Sequence, residues 1–496
     1  MNFEPFYQDY LNKIQAYLLA YNTISFEQLT IAPKDGIPYS NKMLSILSKE
    51  QFDIENNPET IQKIKDYYNR LDDSLEKQEI KTRLEKLEDS QSIPSDVYAN
   101  YVKLTNDSQM MWHKAKEENN YDLFKPYLKN VVEKRLELLS YSPRFNEKNA
   151  YDLLLDTYEK GMNEEKYDAF FQKIKDEIVP FIQKVKNSHY EIDDTVMGLN
   201  YSASRQEAFM NSLSKYLKID FNKVYLNTTE HPFTSSFSHN DARITTHYYE
   251  NRFLSAILST VHEYGHALYG MQVDDAFEGT MFFEPHCAAH ESQSRFLENY
   301  IGRSKAFWQA NYHDLIEQFP EFENTSLDDL IEMINKTECG LVRTEADELT
   351  YPLHILIRYE IEKEMIKGTL DYDTLPELWA DKYEEYLGVR PNSYSEGVLQ
   401  DIHWSTGDLG YFPSYALGSA YGAQLYNTMA NQIDVEDALL NNHFEIITNW
   451  LKENVHHYGA SKSMEEIIEI VTGEPFNPDY YIDYLKEKYT KLYHIK

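Results

Sequence analysis

Twenty consecutive residues, NRFLSAILSTVHEYGHALYG at 251–270, constrain the fold more than any other stretch. Apolar residues recur there at spacings of three and four, so the segment reads as one helix with its apolar side embedded in a core. His262 and His266 stand near its middle with Glu263 between them. On a helix, positions four apart share a face about 5–6 Å from one another, so both imidazoles can reach one divalent ion while Glu263 addresses a bound water. Gly265 leaves room beside that ion.

A catalytic zinc usually takes three protein ligands and keeps one position open. In one class of site the third ligand is a His six residues after the second, but Gln272 occupies that position here. The following segment AAHESQSRFLENYIG supplies a carboxylate instead, and Glu291, flanked by His290 and Ser292, is the expected third ligand. Glu298 lies two helical turns further on; it reads as an outer or salt-bridging group, or simply as a solvated helix carboxylate.

The rest of the chain is consistent with a soluble enzyme. It carries 48 basic and 82 acidic side chains, a formal charge of -34, which disfavours nucleic acid and anionic membrane surfaces as partners. Cys287 and Cys339 are the only cysteines, too few for a disulfide framework and consistent with a reducing compartment. The N-terminal sequence has acidic residues early and no basic-then-apolar pattern, and no apolar run approaches the roughly 18 residues that span a bilayer. Cytoplasmic localisation is the expectation.

Helical periodicity dominates, as in FEPFYQDYLNKIQAYLLAYN, PETIQKIKDYYNRLDDSLEKQEIKTRLEKLEDS and MEEIIEIVTG, so a mainly α fold is predicted. Pro180 is expected to kink or split the helix that contains it. DARITTHYYE at 241–250 is the clearest β-like segment and predicts a small sheet edging the metal site. Without a linker or repeat, the chain reads as one domain over 1–496, with a helical part to about residue 190 and a metal-site and groove part from about 191.

Six short motifs occur in order: HPF at 231–233, DARIT at 241–245, HEYGH at 262–266, HESQ at 290–293, VRTEAD at 342–347 and GVLQDIHW at 397–404. In this the chain resembles the carboxypeptidase Taq family of metallocarboxypeptidases, and the likeness continues through AYDLLLDTYEKGM, DELTYPLHILIRYEIEKEMIKG and GYFPSYALGSAYGAQL. Val342 stands where Ile is usual. The segment MFFEPHCAA before HES lacks a small, Gly-containing turn, a departure expected to alter metal access or the pocket wall.

The resemblance implies a large helical fold with a deep substrate groove, similar to neurolysin and angiotensin-converting enzyme. It also implies removal of single residues from free peptide C-termini, one divalent ion per subunit (zinc, with cobalt as the alternative) and a homodimer. Glu263 would then take the water proton and pass it to the leaving amine. A free carboxylate suits the fixed fork of an Arg, with Arg343 the first candidate and Arg243 the second. Each could instead be a buried Arg paired with a neighbour, Asp347 or Asp241. His403 and Tyr411 are expected as oxyanion donors ahead of Tyr415. Gln400 joins the substrate-binding set, and with Asp401 is expected to orient His403. His231 either lines the groove or holds a turn ahead of Pro232. Two rival readings remain at this level: an oligopeptidase cutting internal bonds, and a peptide-binding relative without catalysis.

Overall fold

The computed structural model describes residues 1–146 and 149–495. The chain opens with helices Pro5–Thr30 (α1), Ile37–Glu55 (α2), Pro58–Arg70 (α3) and Leu75–Gln91 (α4). Its third and fourth helices come from one periodic stretch: Asn57 caps its start by accepting the Thr60 backbone N–H, and the stretch divides where Ser74 accepts that of Lys77. Tyr7, Ile64 and Ile80 belong to a core cluster within this first part of the chain, separate from the main core.

Five helices follow: Ser95–Glu117 (α5), Tyr121–Ser140 (α6), Ala150–Tyr158 (α7), Glu164–Asn187 (α8) and Ala203–Tyr216 (α9). They contribute to the main core, which they share with the metal-site half, so the cores divide the chain nearer residue 91 than residue 190. Pro180 does not split α8. Ile178, Phe181 and Ile182 around it are buried, and at about 1.5–3 kcal/mol for each such side chain that burial outweighs the roughly 3 kcal/mol cost of an interior proline.

The strands Val224–Thr228 (β1), Thr234–Ser238 (β2) and Asp241–Thr246 (β3) form a small sheet in the order β1-β3-β2, β1 parallel and β2 antiparallel to β3. In β3, Ala242 and Ile244 are buried, and the strand packs on the helix Phe253–Gln272 (α10). β2 is an edge, and its Thr234, Ser235 and Ser236 face a cavity.

Beyond α10 come Cys287–Arg295 (α11), continued by a π-helical turn over Phe296–Gly302, then Lys305–Gln318 (α12), Leu327–Ile334 (α13), Tyr351–Lys367 (α14), Leu375–Leu387 (α15), His403–Thr406 (α16) and Pro413–Gln432 (α17). Further helices follow between Val435 and Leu492. Glycines let three of these helices approach closely. A Cβ at Gly265 would lie 2.6 Å from the Gln293 carbonyl oxygen, and one at Gly418 would lie 2.8 Å from Glu291 Cβ. α11 is thereby clamped between α10 and α17, and Glu291 is fixed opposite the two histidines. Among the described residues, no helix is long and apolar enough to cross a membrane. The mainly α fold, the small sheet and the groove agree with the sequence reading.

Candidate metal centre

α10 carries His262, Glu263 and His266 along one side of a cavity of about 1200 Å³. Glu291 Oε2, from α11, lies 3.7 Å from His262 Nε2 and 3.6 Å from His266 Nε2. The ligand atoms of these three residues all fall within 4.8 Å of one another. Two imidazoles and one carboxylate are a donor set that suits a divalent ion such as zinc, with a coordination position left for a reactant. The residues present therefore fit the group.

Each of the three candidate ligands is held from behind. His262 Nδ1 donates to Glu298 Oε2 at 2.9 Å, which leaves Nε2 as the lone-pair nitrogen facing Glu291. His266 Nδ1 is 3.1 Å from His290 Nδ1; burial, with the neighbouring His266, lowers the His290 pKa to about 3, so His290 is neutral and can accept. Arg295 donates from Nε to Glu291 at 2.7 Å and from Nη1 to Glu298 at 3.0 Å. Burial alone would raise both carboxyls, but the Arg295 guanidinium and the nearby histidines outweigh it and hold both well below the usual carboxylate range. Burial would likewise lower His262, yet Glu291, Glu298 and Glu263 together raise it. The solvated reading of Glu298 is thus corrected: it is buried and bonded to His262, because the π-helical turn keeps it against α10.

Glu263 is met from the sheet. Thr234 Oγ1 lies 2.6 Å from Glu263 Oε2 and 2.9 Å from the Glu263 carbonyl oxygen, so the β2 edge fixes the carboxylate over the cavity. Neither Thr234 nor Arg295 was picked out from the sequence. Arg295 sits four residues after Glu291, a helical ion-pair spacing that could have found it; nothing local points from Thr234 to a residue 29 positions away.

The remaining candidates separate. Arg343 is buried and faces the cavity. Its Nε donates to Asp401 at 2.9 Å, so its partner is Asp401 and not Asp347, which instead accepts bonds from Thr337 and Thr350. Gln400 Oε1 accepts from the Arg343 backbone N–H at 3.0 Å and from Arg358 at 2.7 Å. Gln400 and Asp401 therefore hold the Arg343–Arg358 pair and make no hydrogen bond to His403 among the described residues. Gln400 is not on the cavity wall.

Arg243 makes a two-bond pair with Asp241 at 3.0 and 2.9 Å, stacks 4.3 Å over Phe237, and does not face the cavity. The alternative stated for it, pairing with its neighbour, is what the strand produces. The His231 side chain is exposed and its carbonyl accepts from Thr229 Oγ1 at 2.7 Å, so it belongs to the turn. Tyr411 and Tyr415 face the cavity, as does Tyr351. His403 stands behind Tyr411, stacked at 5.6 Å, and is off the wall, its pKa lowered to about 4 by burial and then by Arg343. From MFFEPHCAA, residues Phe283, Glu284, Pro285 and Cys287 form part of the wall. Burial pushes the Cys287 thiol up to about 12.

Comparison with known proteins gives a consistent picture. The family described as carboxypeptidase Taq (M32) metallopeptidase matches residues 6–489. The chain is 38% identical to carboxypeptidase 1 of Bacillus subtilis, over 99% of each chain. It is 31% identical to thermostable carboxypeptidase 1 of Thermus thermophilus, again over 99% of each. Among solved structures, an M32 carboxypeptidase from Deinococcus radiodurans superposes with a TM-score of 0.95 at 29% identity, covering 99% of this chain and 100% of that one. A Pyrococcus furiosus carboxypeptidase superposes with a TM-score of 0.94 at 30% identity, covering 98% and 99%.

Proposed function

The chain belongs to the carboxypeptidase Taq family of metallopeptidases, and on that premise we propose that it removes single residues from the free C-terminus of peptides, using one zinc ion per subunit held by His262, His266 and Glu291. It is a metal-dependent carboxypeptidase acting on peptides; the ion's identity, the residue roles and the one-residue register are our reading. Cobalt is the alternative ion. The family likeness supports a homodimer, and the two unpaired cysteines and acidic charge of -34 suit a cytoplasmic enzyme. We treat residues 1–496 as one catalytic domain, since the groove draws on both parts: Asn22 of α1 faces the same cavity as His262.

The observation that carries the reading is the convergence, in one cavity, of the three-ligand cluster, Glu263 beside it and Arg343 on the wall. The bound ion would polarise the scissile carbonyl and make water a better nucleophile near neutral pH. Glu263 receives the water proton and returns it to the leaving amine, while the Thr234 hydroxyl fixes Oε2. Arg343 pairs with the terminal carboxylate of the substrate. Its own Nε is already held by Asp401 and its Nη1 reaches the Tyr351 hydroxyl at 3.5 Å, so Nη2 leads the receiving side. Tyr411, with Tyr415 beside it at a ring separation of 5.1 Å, donates to the oxyanion. His403 supports the Tyr411 ring from behind, and Arg243 and His231 have structural roles in the sheet and its turn.

The test is mass spectrometry of an N-acylated peptide with a free or an amidated C-terminus, using protein stripped of metal and reloaded with zinc or cobalt. Stepwise loss of single residues from the free end, only with metal, is expected. Equal internal cleavage of both peptides would favour the oligopeptidase alternative and remove the role given to Arg343.

A further inference from the structure

Tyr351 stands between the two halves of the site. The Arg295 guanidinium lies over its ring, 4.3 Å from the ring centre, and its hydroxyl accepts from Arg343 Nη1 at 3.5 Å. Arg295 in turn donates to Glu291 at 2.7 Å and to Glu298 at 3.0 Å. A continuous run of contacts therefore leads from a candidate metal ligand, Glu291, through Arg295 and Tyr351 to Arg343, and all four side chains face the one cavity. The backbone gives this tyrosine little freedom. It is the first residue of α14, its N–H donates to the Asp347 carbonyl at 2.9 Å, and Pro352 presets the first turn. The Asp347 carboxylate gathers the approach to the helix by accepting from the N–H groups of Leu349 at 2.9 Å and Thr350 at 3.1 Å.

We infer that Tyr351 has two separable jobs: its hydroxyl completes the receptor for the terminal carboxylate beside Arg343, and its ring holds Arg295 where it steadies Glu291. The first job rests on the carboxypeptidase reading, with Arg343 as receptor; the second needs only the metal cluster. A phenol has lone pairs to offer and one proton to give, so an oxygen that accepts from Arg343 Nη1 directs its own O–H away from that nitrogen. A carboxylate seated on Arg343 Nη2 then takes a second donor from Tyr351, and the long Arg343–Tyr351 contact is bridged by the shared acceptor. Arg295 spends its edge on Glu291 and Glu298, which leaves its flat face to be held by something apolar and electron-rich. The ring face supplies that, and it is buried enough for the attraction to count.

Substitutions at this one position read the two jobs apart. Tyr351→Phe keeps the ring and removes the hydroxyl. KM for an N-acylated peptide with a free C-terminus should rise about tenfold, the scale of one hydrogen bond to a charged group, with kcat little changed and metal affinity at the wild-type value. Tyr351→Leu removes the ring as well. KM should rise in the same way, and zinc affinity, read by competition with a chromophoric chelator, should fall about fivefold, the scale of one partly desolvated cation–π contact. Tyr351→Met takes its place if a thermal melt of the metal-free protein shows that Tyr351→Leu has not folded. A KM within about twofold of wild type in Tyr351→Phe, or a loss that falls on kcat instead, would overturn the receptor role. Zinc affinity within about twofold of wild type in a folded variant without the ring, or an equal loss in Tyr351→Phe, would overturn the hold on Arg295. Arg343→Ala separates these results from the parent reading. If it raises KM and Tyr351→Phe does not, only the hydroxyl's role fails; if it leaves KM unchanged, the receptor reading fails and the hydroxyl's role with it, while the chelator result for the ring stands by itself.

Discussion

Replacing Glu298 by Gln keeps an oxygen where His262 Nδ1 needs an acceptor but removes the charge behind it. Glu298 is buried, accepts from His262 at 2.9 Å and from Arg295 at 3.0 Å, and lies 3.5 Å from Arg303. In the folded protein it is ionised, so its charge raises the electron density of the imidazole that faces the ion. Groups in this outer position typically change metal affinity by about 10–100-fold. At about 1.4 kcal/mol per factor of ten, the variant should lose about 1.4–2.8 kcal/mol of metal binding. The burial and the two-sided bonding argue for the upper half of that range, because Gln also leaves Arg295 and Arg303 with less compensation. Competition against a chromophoric chelator at pH 7, read for zinc and for cobalt, gives the affinity directly. A thermal melt of the metal-free protein separates loss of fold from loss of binding. If the dissociation constant moves by less than threefold in a folded variant, the charge behind His262 is not what supports the ligand, and the argument fails.

Other outcomes follow from the same structure. Glu263→Gln should lower kcat by at least 10³-fold while metal affinity stays within about threefold of wild type, because a proton acceptor is lost and no ligand is; chelator competition and single-turnover kinetics check it. Thr234→Val, which cannot hold Glu263 Oε2, should lower kcat about tenfold with little change in KM, and Thr234→Ser should restore it. Burial raises the Glu159 carboxyl to about 8, although the backbone N–H groups of Ala288 and Ala289 donate to it. The folded state then binds more protons than the unfolded state between about pH 4.5 and 8, so this group's stabilising contribution is full below that window and is lost as pH rises through it. Glu159→Gln should therefore raise the melting temperature at pH 8 and change it little at pH 4.5. Gly265→Ala should destabilise the fold by about 1–3 kcal/mol, since a Cβ 2.6 Å from the Gln293 carbonyl forces α10 from α11; chemical denaturation measures it.

What could be read from the sequence was what short spacing encodes. The helix over 253–272 and the His262–His266 pair follow from a period of 3.6, and β3 from its β-branched residues. The same kind of reasoning would have placed Arg243 correctly: on a strand, residues two apart share a face, so Asp241 and Arg243 were bound to meet. Asp401, by contrast, holds Arg343 across 58 positions of chain, and Glu298 reaches His262 across 36. Neither partner is fixed by local period: the packing of α11 and its π-helical turn on α10 decides the contact of Glu298, and the approach of the segments before α14 and α16 decides that of Asp401. His403 and Tyr411 show the same limit. Both carry suitable donors, and only the stacking order of their rings determines which one meets the cavity.

The separate core of the first four helices bears on how the groove responds to heat, denaturant and substrate. Its rim and floor come from different cooperative units. The rim meets the rest through Phe26, buried against Phe233 beside the sheet at a ring separation of 5.7 Å, and through polar contacts such as Gln15 to the Gly279 carbonyl at 3.3 Å and the Met281 N–H to Glu79 at 3.4 Å. The floor, α10, lies in the main core. Amide exchange should therefore report two opening free energies, with α1 and α2 breathing at the lower one while the His262 helix stays protected.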